Sequence, residues 1–267
     1  MTAEIDPDLR PAPRAGRLGA GTLDDLPTRL TEYLTAADND RVYPNTRPRD
    51  AATLIIIDRS TTPPQVLLGR RHARHKFMPG KFVFPGGRVE PSDRRMAAAS
   101  ELDPRVESRL IAQVKRPSRD KARAFALAAI RETFEETGLL LGKRAGAPAA
   151  SAPCATFAEA GVMPDLNDIH FIARAVTPPK RPRRFDARFF AVDAQAIAHR
   201  VEGMVGPDAE LVELVWLPIT EAERLDMPGV TTAVLEELEH RIAAGFSHDL
   251  PVPYYQMVRG RFTRVLL

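Results

Sequence analysis

The chain has 267 residues, 44% of them apolar and 27% charged, enough for one well-buried domain with appendages. A formal net charge of +3 and a pI near 9.2 lean mildly toward anionic partners, but no basic arm with interleaved aromatics exists, so no nucleic-acid partner is expected. Cys154 is the single cysteine, the longest aliphatic run (Leu54 to Ile57) is far too short to span a bilayer, and Met1 to Arg17 lacks the apolar stretch of a signal peptide; the expectation is a cytoplasmic protein without a disulfide or a membrane association.

Residues 1–48, rich in Pro, Arg and Asp, read as a loosely ordered leader with one short amphipathic helix from Leu23 to Leu34. Ala51 to Asp58 and Val66 to Arg70 are short apolar runs separated by a Ser-Thr-Thr-Pro-Pro cluster, which predicts a β-hairpin. Lys81 to Phe84 is a further strand, ended by Pro85-Gly86-Gly87. From Arg94 to about Arg116 the chain is rich in Ala and Arg, with helical spacing at Met96, Leu102, Val106, Leu110 and Ile111. Arg119 to Thr137 carries the strongest helix signals: Ser118 at the N-cap, Asp120 in the first turn and Gly138 just past the last. Gly142 to Ala155 is a loop of small residues and prolines. His170 to Val176 and Arg184 to Val192 are expected strands, Leu211 to Leu217 the last strand, and Thr231 to Ala244 an amphipathic helix. This order implies an α+β fold, with a sheet covered on both faces in a domain over 49–250 and a tail over 251–267.

Within the helix from Arg119, Glu132, Glu135 and Glu136 stand at i, i+3 and i+4 and crowd one face. Like charges at that spacing destabilise a helix, and a divalent cation removes the repulsion; an all-carboxylate set suits hard Mg²⁺, or Mn²⁺. On spacing alone a solvated acidic face accounts for the three more readily. The flanking residues separate the readings: Arg131 immediately before, Thr137-Gly138 immediately after, and a Pro-Gly-Gly turn upstream.

Those residues resemble the Nudix box of the Nudix hydrolase superfamily, which reads Gly, five residues, Glu, seven residues, Arg-Glu, two residues, Glu-Glu, one residue, Gly. Gly87, Arg131, Glu132, Glu135, Glu136, Gly138 and Leu139 fit it. Asp93 stands in place of the first Glu, Thr133 replaces the usual aliphatic residue, and about 30 residues are inserted between Asp93 and Arg131, with 94–118 as the insertion. The resemblance implies an α/β/α sandwich around a mixed sheet, extended by a helical insertion and the leader. It also implies that Glu132, Glu135 and Glu136 ligate the metal, that Arg131 orients them, and that Gly86 and Gly87 shape the loop beside metal and phosphates.

The ungapped segment from Leu67 to Gly87 resembles the motif found upstream of the box in coenzyme A diphosphatases. It matches at Leu67, Leu68, Arg71, Gly80 and Phe84 to Gly87, and departs at Gly69, His72 and Lys76. The Thr177-Pro178 and Arg184-Phe185-Asp186-Ala187-Arg188-Phe189-Phe190 segments resemble a branch of those enzymes that also interrupts the box. The implied substrate is a small-molecule diphosphate, coenzyme A or an acyl-CoA, with ADP-ribose or a dinucleotide as the alternative and a non-catalytic nucleotide sensor as a second. Arg70, Arg71 and Lys76 would hold phosphates. Glu210 is the expected late base or ligand, with Glu213 beside it. His72, His75 and His170 are weaker catalytic candidates, and a homodimer is left open.

Overall fold

A computed structural model describes residues 26–36, 42–75, 78–144 and 155–267. Helix α1 (Leu26–Ala36) precedes β1 (Arg49–Asp58) and β2 (Gln65–Arg71). Short strands β3 (Phe82–Val83) and β4 (Gly86–Arg88) lead to a 3-10 turn at Asp93–Arg95, then α2 (Pro104–Ile111) and the long α3 (Arg119–Thr137). Next come β5 (Leu139–Leu141), β6 (Lys143–Arg144), α4 (Ala155–Glu159), β7 (Val162–Met163), β8 (His170–Val176) and β9 (Phe185–Asp193). The chain ends with β10 (Ile197–Arg200), β11 (Leu211–Pro218), α5 (Ile219–Ala222), α6 (Gly229–Ala243), β12 (Pro253–Val258) and β13 (Arg261–Leu266).

The main sheet is mixed, in the order β11-β2-β1-β9-β8-β12-β13, with β3 on β2 and β4 on β1. At its centre β1 runs parallel to β9 and antiparallel to β2 and β4. Alternation along β1 divides the core in two. Ala52, Leu54 and Ile56 face a layer built by α3, whereas Ile55 and Ile57 face Val234, Leu235 and Leu238 of α6 and Leu30 of α1. Both faces are therefore covered, as an α+β sandwich requires.

Helix α3 starts and stops where its capping residues predict. The Ser118 hydroxyl accepts from the Lys121 N–H at 3.2 Å, and Gly138 adopts φ 75°, open to a residue without Cβ. A Cβ at Gly138 would also collide with the Val201 carbonyl. Ala122, Ala124, Ala126, Ala128 and Ala129 are fully buried. Their small side chains let α3 lie close against the sheet, so its position is fixed by packing.

Three expectations change. The segment from Arg94 to Arg116 is helical only at the 3-10 turn and over α2, because Pro104 can open a helix but not continue one; Asp103 caps it, accepting from the Arg105 N–H at 2.8 Å. Leu211 to Leu217 lies in β11, yet it is not the last strand. Residues 253–266, read as a tail, form a hairpin whose β12 pairs with β8 in the main sheet. Helix α1 packs as expected, with Leu30 and Leu34 buried, while residues 23–25 and most of the loop from Gly142 to Ala155, Cys154 included, lie outside the described residues. Among the described residues no helix is long and apolar enough to cross a membrane.

Candidate active site

The site is built around Arg131, in the second half of α3. Its Nε donates to Asp93 Oδ1 at 2.8 Å and its Nη2 to Asp93 Oδ2 at 3.2 Å. Nη1 reaches Glu132 at 2.9 Å and Glu135 at 3.0 Å, and Nη2 also donates to the Arg88 carbonyl at 2.9 Å. Asp93 is fully buried and additionally accepts from the Glu90 N–H at 2.6 Å. A planar fork of donors holds a buried carboxylate on one side and two box glutamates on the other. The i, i+4 pairing of Arg131 with Glu135 was legible in the sequence. The anchoring by Asp93 was not, since nothing local links residues 38 positions apart.

Glu136 is buried, and its Oε2 accepts from the Gly86 N–H at 3.2 Å. Burial pushes its carboxyl up to about 8, with Glu210 and Glu132 adding repulsion. Burial likewise raises Glu132, partly offset by Arg131. Strand β4 brings Gly87 against Glu132 so closely that a Cβ there would overlap the carboxylate. At Gly86 a Cβ would stand 2.6 Å from the Ala52 carbonyl oxygen. Both glycines are needed because backbone passes where a side chain cannot. The third glutamate differs: Glu135 is 52% exposed and leans on Arg131 at the rim.

Strands β2 and β11 supply the opposite wall. Arg71 Nη2 pairs with Glu210 Oε1 at 2.9 Å, and both act on the charge of Glu136, Glu210 raising and Arg71 lowering its pKa. Arg70 and Glu213 pair with each other at 3.0 Å. By strand alternation they share the face of Val66, Leu68 and Val215, which packs toward α6, away from the box glutamates. The structure thus gathers Glu132, Glu136, Arg131, Gly86, Gly87, Arg71 and Glu210, and leaves Arg70 and Glu213 on the other side of the sheet. Lys76 lies outside the described residues.

His72 and His75 line a small depression with Arg74, Asp208 and Glu210; the His72 Nδ1 accepts from the Arg74 N–H at 2.9 Å and shapes that turn. His170 is elsewhere, stacked on His248 at 3.9 Å and against Phe246 at 4.0 Å.

Among the described residues no three ligating groups converge as they stand, and Arg131 holds two of the glutamates. The donor set nevertheless fits a hard divalent cation. Two carboxylates, one of them buried, repel each other beside a third, and the Gly87 cradle leaves the room that a Cβ would fill. Glu132 and Glu136 are the residues that would hold it, with Glu135 at the rim.

No family model matches the chain. A crystal structure of a Nudix hydrolase from Alicyclobacillus acidocaldarius is 31% identical, with 72% of this chain and 90% of that chain covered and a TM-score of 0.51. A Caenorhabditis elegans protein assigned as nudix hydrolase 7 is 27% identical over 154 residues, 53% of this chain and 43% of that protein. Acyl-coenzyme A diphosphatase NUDT19 of Xenopus laevis is 35% identical over 100 residues, 31% of this chain and 26% of that protein. The chain therefore spans less than half the length of either curated relative. The likeness to the bacterial structure extends over nearly all of that protein, at an identity that carries more than the fold, and it agrees with a box whose arginine, glutamates and glycines meet in space across their insertion: the chain belongs to the Nudix hydrolase family.

Proposed function

We propose that the chain is a metal-dependent hydrolase of diphosphate linkages whose substrate is coenzyme A or an acyl-CoA, giving adenosine 3′,5′-bisphosphate and (acyl-)4′-phosphopantetheine. The observation that carries the hydrolase reading is the Glu136 carboxylate, buried against the Gly86 N–H and crowded by Glu132 and Glu210. Support for the substrate comes from the ungapped match between Leu67 and Gly87, of which Arg71, Gly86 and Gly87 meet the site, and from the similarity to the acyl-coenzyme A diphosphatase of Xenopus laevis.

A divalent cation, Mg²⁺ or Mn²⁺, held at Glu132 and Glu136 would neutralise charge developing on the phosphoryl oxygens and acidify a water. Arg131 fixes the Glu132 rotamer while Asp93 fixes Arg131, so the carboxylate is oriented before substrate arrives. Arg71 places a guanidinium beside the site for a phosphate oxygen. It also holds Glu210 by Oε1, which keeps that carboxylate beside Glu136 as the candidate to take the proton of the attacking water.

The test is a substrate panel: purified protein with Mg²⁺ and coenzyme A, acyl-CoAs, ADP-ribose or NADH, with the nucleotide products followed, adenosine 3′,5′-bisphosphate from coenzyme A and acyl-CoAs and AMP from ADP-ribose and NADH. Coenzyme A is expected to be cleaved, and Glu136→Gln to reduce the rate to background. No cleavage of any compound, or full activity in Glu136→Gln, overturns the hydrolase reading. Cleavage of ADP-ribose but not of coenzyme A overturns the substrate alone.

A further inference from the structure

A second concave region adjoins the carboxylate site. A cleft of about 1100 Å³ opens between the starts of β1 and β9, the chain after α2 and the first turn of α3. Among the described residues nine Lys and Arg side chains line it, against two carboxylates, Asp50 and Asp186. Those carboxylates are already shared. Asp186 takes a two-pronged pair from Arg174 at 2.7 and 2.8 Å and a contact from Arg188 at 3.1 Å. Asp50 takes Arg188 at 3.0 Å and Lys121 at 3.4 Å. Three cations on two carboxylates leave a positive floor, and Arg49 and Lys115 add exposed positive charge at the rim.

Arg188 is the centre of this floor. Its side chain is fully buried, its guanidinium lies 3.9 Å over the ring of Phe125, and Nη1 donates to the Asp186 carbonyl at 2.7 Å. Nε and Nη2 have no hydrogen-bond partner among the described residues. Buried guanidinium donors are nearly always paired, and these two, closed to solvent as the side chains stand, leave uncompensated positive charge beneath the cleft. Strand register explains why the charges meet. Asp50 faces Asp186 across β1 and β9, and Arg188 faces Arg174 across β9 and β8, all on the side that α3 covers.

We propose that this cleft is a phosphate-binding site, taking a phosphate monoester group at Lys121, Arg49 and Lys115, over the buried positive charge of Arg188 and Arg174. Lys121 and Glu132 are eleven residues apart on one helix, about 16 Å at 1.5 Å per residue, and Arg88 joins the cleft to Gly87. The phosphate can therefore belong to the far end of a substrate seated at Glu132 and Glu136, a reading that rests on the diphosphatase activity proposed above. It can equally belong to a separate phosphorylated small molecule, which does not rest on it.

The experiment uses the full chain with EDTA present, titrated with inorganic phosphate against chloride at matched ionic strength, and read by calorimetry and thermal midpoint. Saturable binding and a raised midpoint are expected. Arg188→Met is expected to abolish both, and the exposed rim pair Arg49→Gln with Lys115→Gln to weaken binding roughly tenfold, the loss of about one charge-assisted hydrogen bond. No saturable binding by the wild type, or unchanged binding in the rim pair, overturns the proposal; the rim pair decides the matter even if Arg188→Met fails to fold. A second arm compares coenzyme A with 3′-dephospho-coenzyme A. A rise in KM for coenzyme A alone in the rim pair assigns the site to the substrate's own phosphate. Equal KM values with weakened phosphate binding assign it to a separate molecule. Phosphate binding without any diphosphatase activity leaves this site standing and removes the functional reading.

Discussion

Asp93 grips Arg131 with both carboxylate oxygens, at 2.8 and 3.2 Å, and so closes the 38-residue gap that interrupts the motif. Asp93→Ala would leave the Arg131 Nε without its acceptor while Glu132, Glu135 and the Arg88 carbonyl keep the rest of the guanidinium, at a cost of about 1–3 kcal/mol. A urea titration should show a lower midpoint with an unchanged slope, together with reduced turnover because Glu132 loses its fixed partner. Asp93→Asn retains an acceptor and should lose less. Wild-type stability in Asp93→Ala would show that the pair does not anchor the helix.

Gly87→Ala should separate activity from folding. The atoms nearest the added methyl are all of the Glu132 carboxylate, the far end of a side chain, so the thermal midpoint should move little while turnover collapses. Gly86→Ala meets backbone at Ala52 and Thr53 instead and should destabilise the fold. Circular-dichroism melts and rate measurements on the two variants check the contrast.

Gly69, one of the departures from the coenzyme A diphosphatase motif, has a packing reason. A Cβ there would run into the Leu211 side chain on the neighbouring strand. Gly69→Thr should cost about 1–3 kcal/mol by overpacking. Leu211→Ala in the same chain should recover part of that loss, and a double-mutant cycle measures the coupling. Strict additivity would mean the two residues do not share the space.

The His170–His248 stack gives a pH dependence. Burial lowers His170 to about 3, helped by the positive neighbours His248, Arg241 and Arg59, and burial lowers His248 as well. Folded values below the unfolded ones mean that the unfolded chain binds protons first as the solution acidifies. This stabilisation is complete above the ordinary histidine value of 6.5 and is lost as pH falls toward 3. Urea midpoints at pH 7.5 and pH 5 should differ, and His170→Phe should reduce the difference. An equal pH response in wild type and variant would remove the pair as its source.

Local signals carried much of this structure and failed where partners were remote. Helix α3 was readable to the residue, since Ser118 and Gly138 satisfy its ends by short-range hydrogen bonds. The hairpin of β1 and β2 was readable from its turn cluster. The helix expected from Arg94 to Arg116 rested on composition and on the spacing from Met96 to Ile111; only Val106, Leu110 and Ile111 of that pattern lie in α2, which the Asp103-Pro104 starting signal limits. The β12–β13 hairpin had its own signal in Arg259-Gly260, which takes φ 49° and 86° between alternating runs, the backbone that a two-residue turn needs. At the site, spacing grouped the three glutamates, but only strand alternation separates Arg71 and Glu210 from Arg70 and Glu213, and that depends on the registers of β2 and β11.

The parallel pairing of β1 with β9 also constrains how the molecule can be made. Strand β1 leaves the ribosome early, and its partner β9 is not available until residue 193 has been added. At about 5–20 residues per second, the nascent chain spends on the order of ten seconds with one edge of its most apolar strand unmatched. During that interval β2 pairs with the end of β1 at Ile57 and β4 with Ala51 to Thr53, while α3 can cover Leu54 and Ile56 only once residue 137 has been added. Slowed translation between residues 90 and 190 would therefore lengthen the period in which this protein is most prone to aggregate.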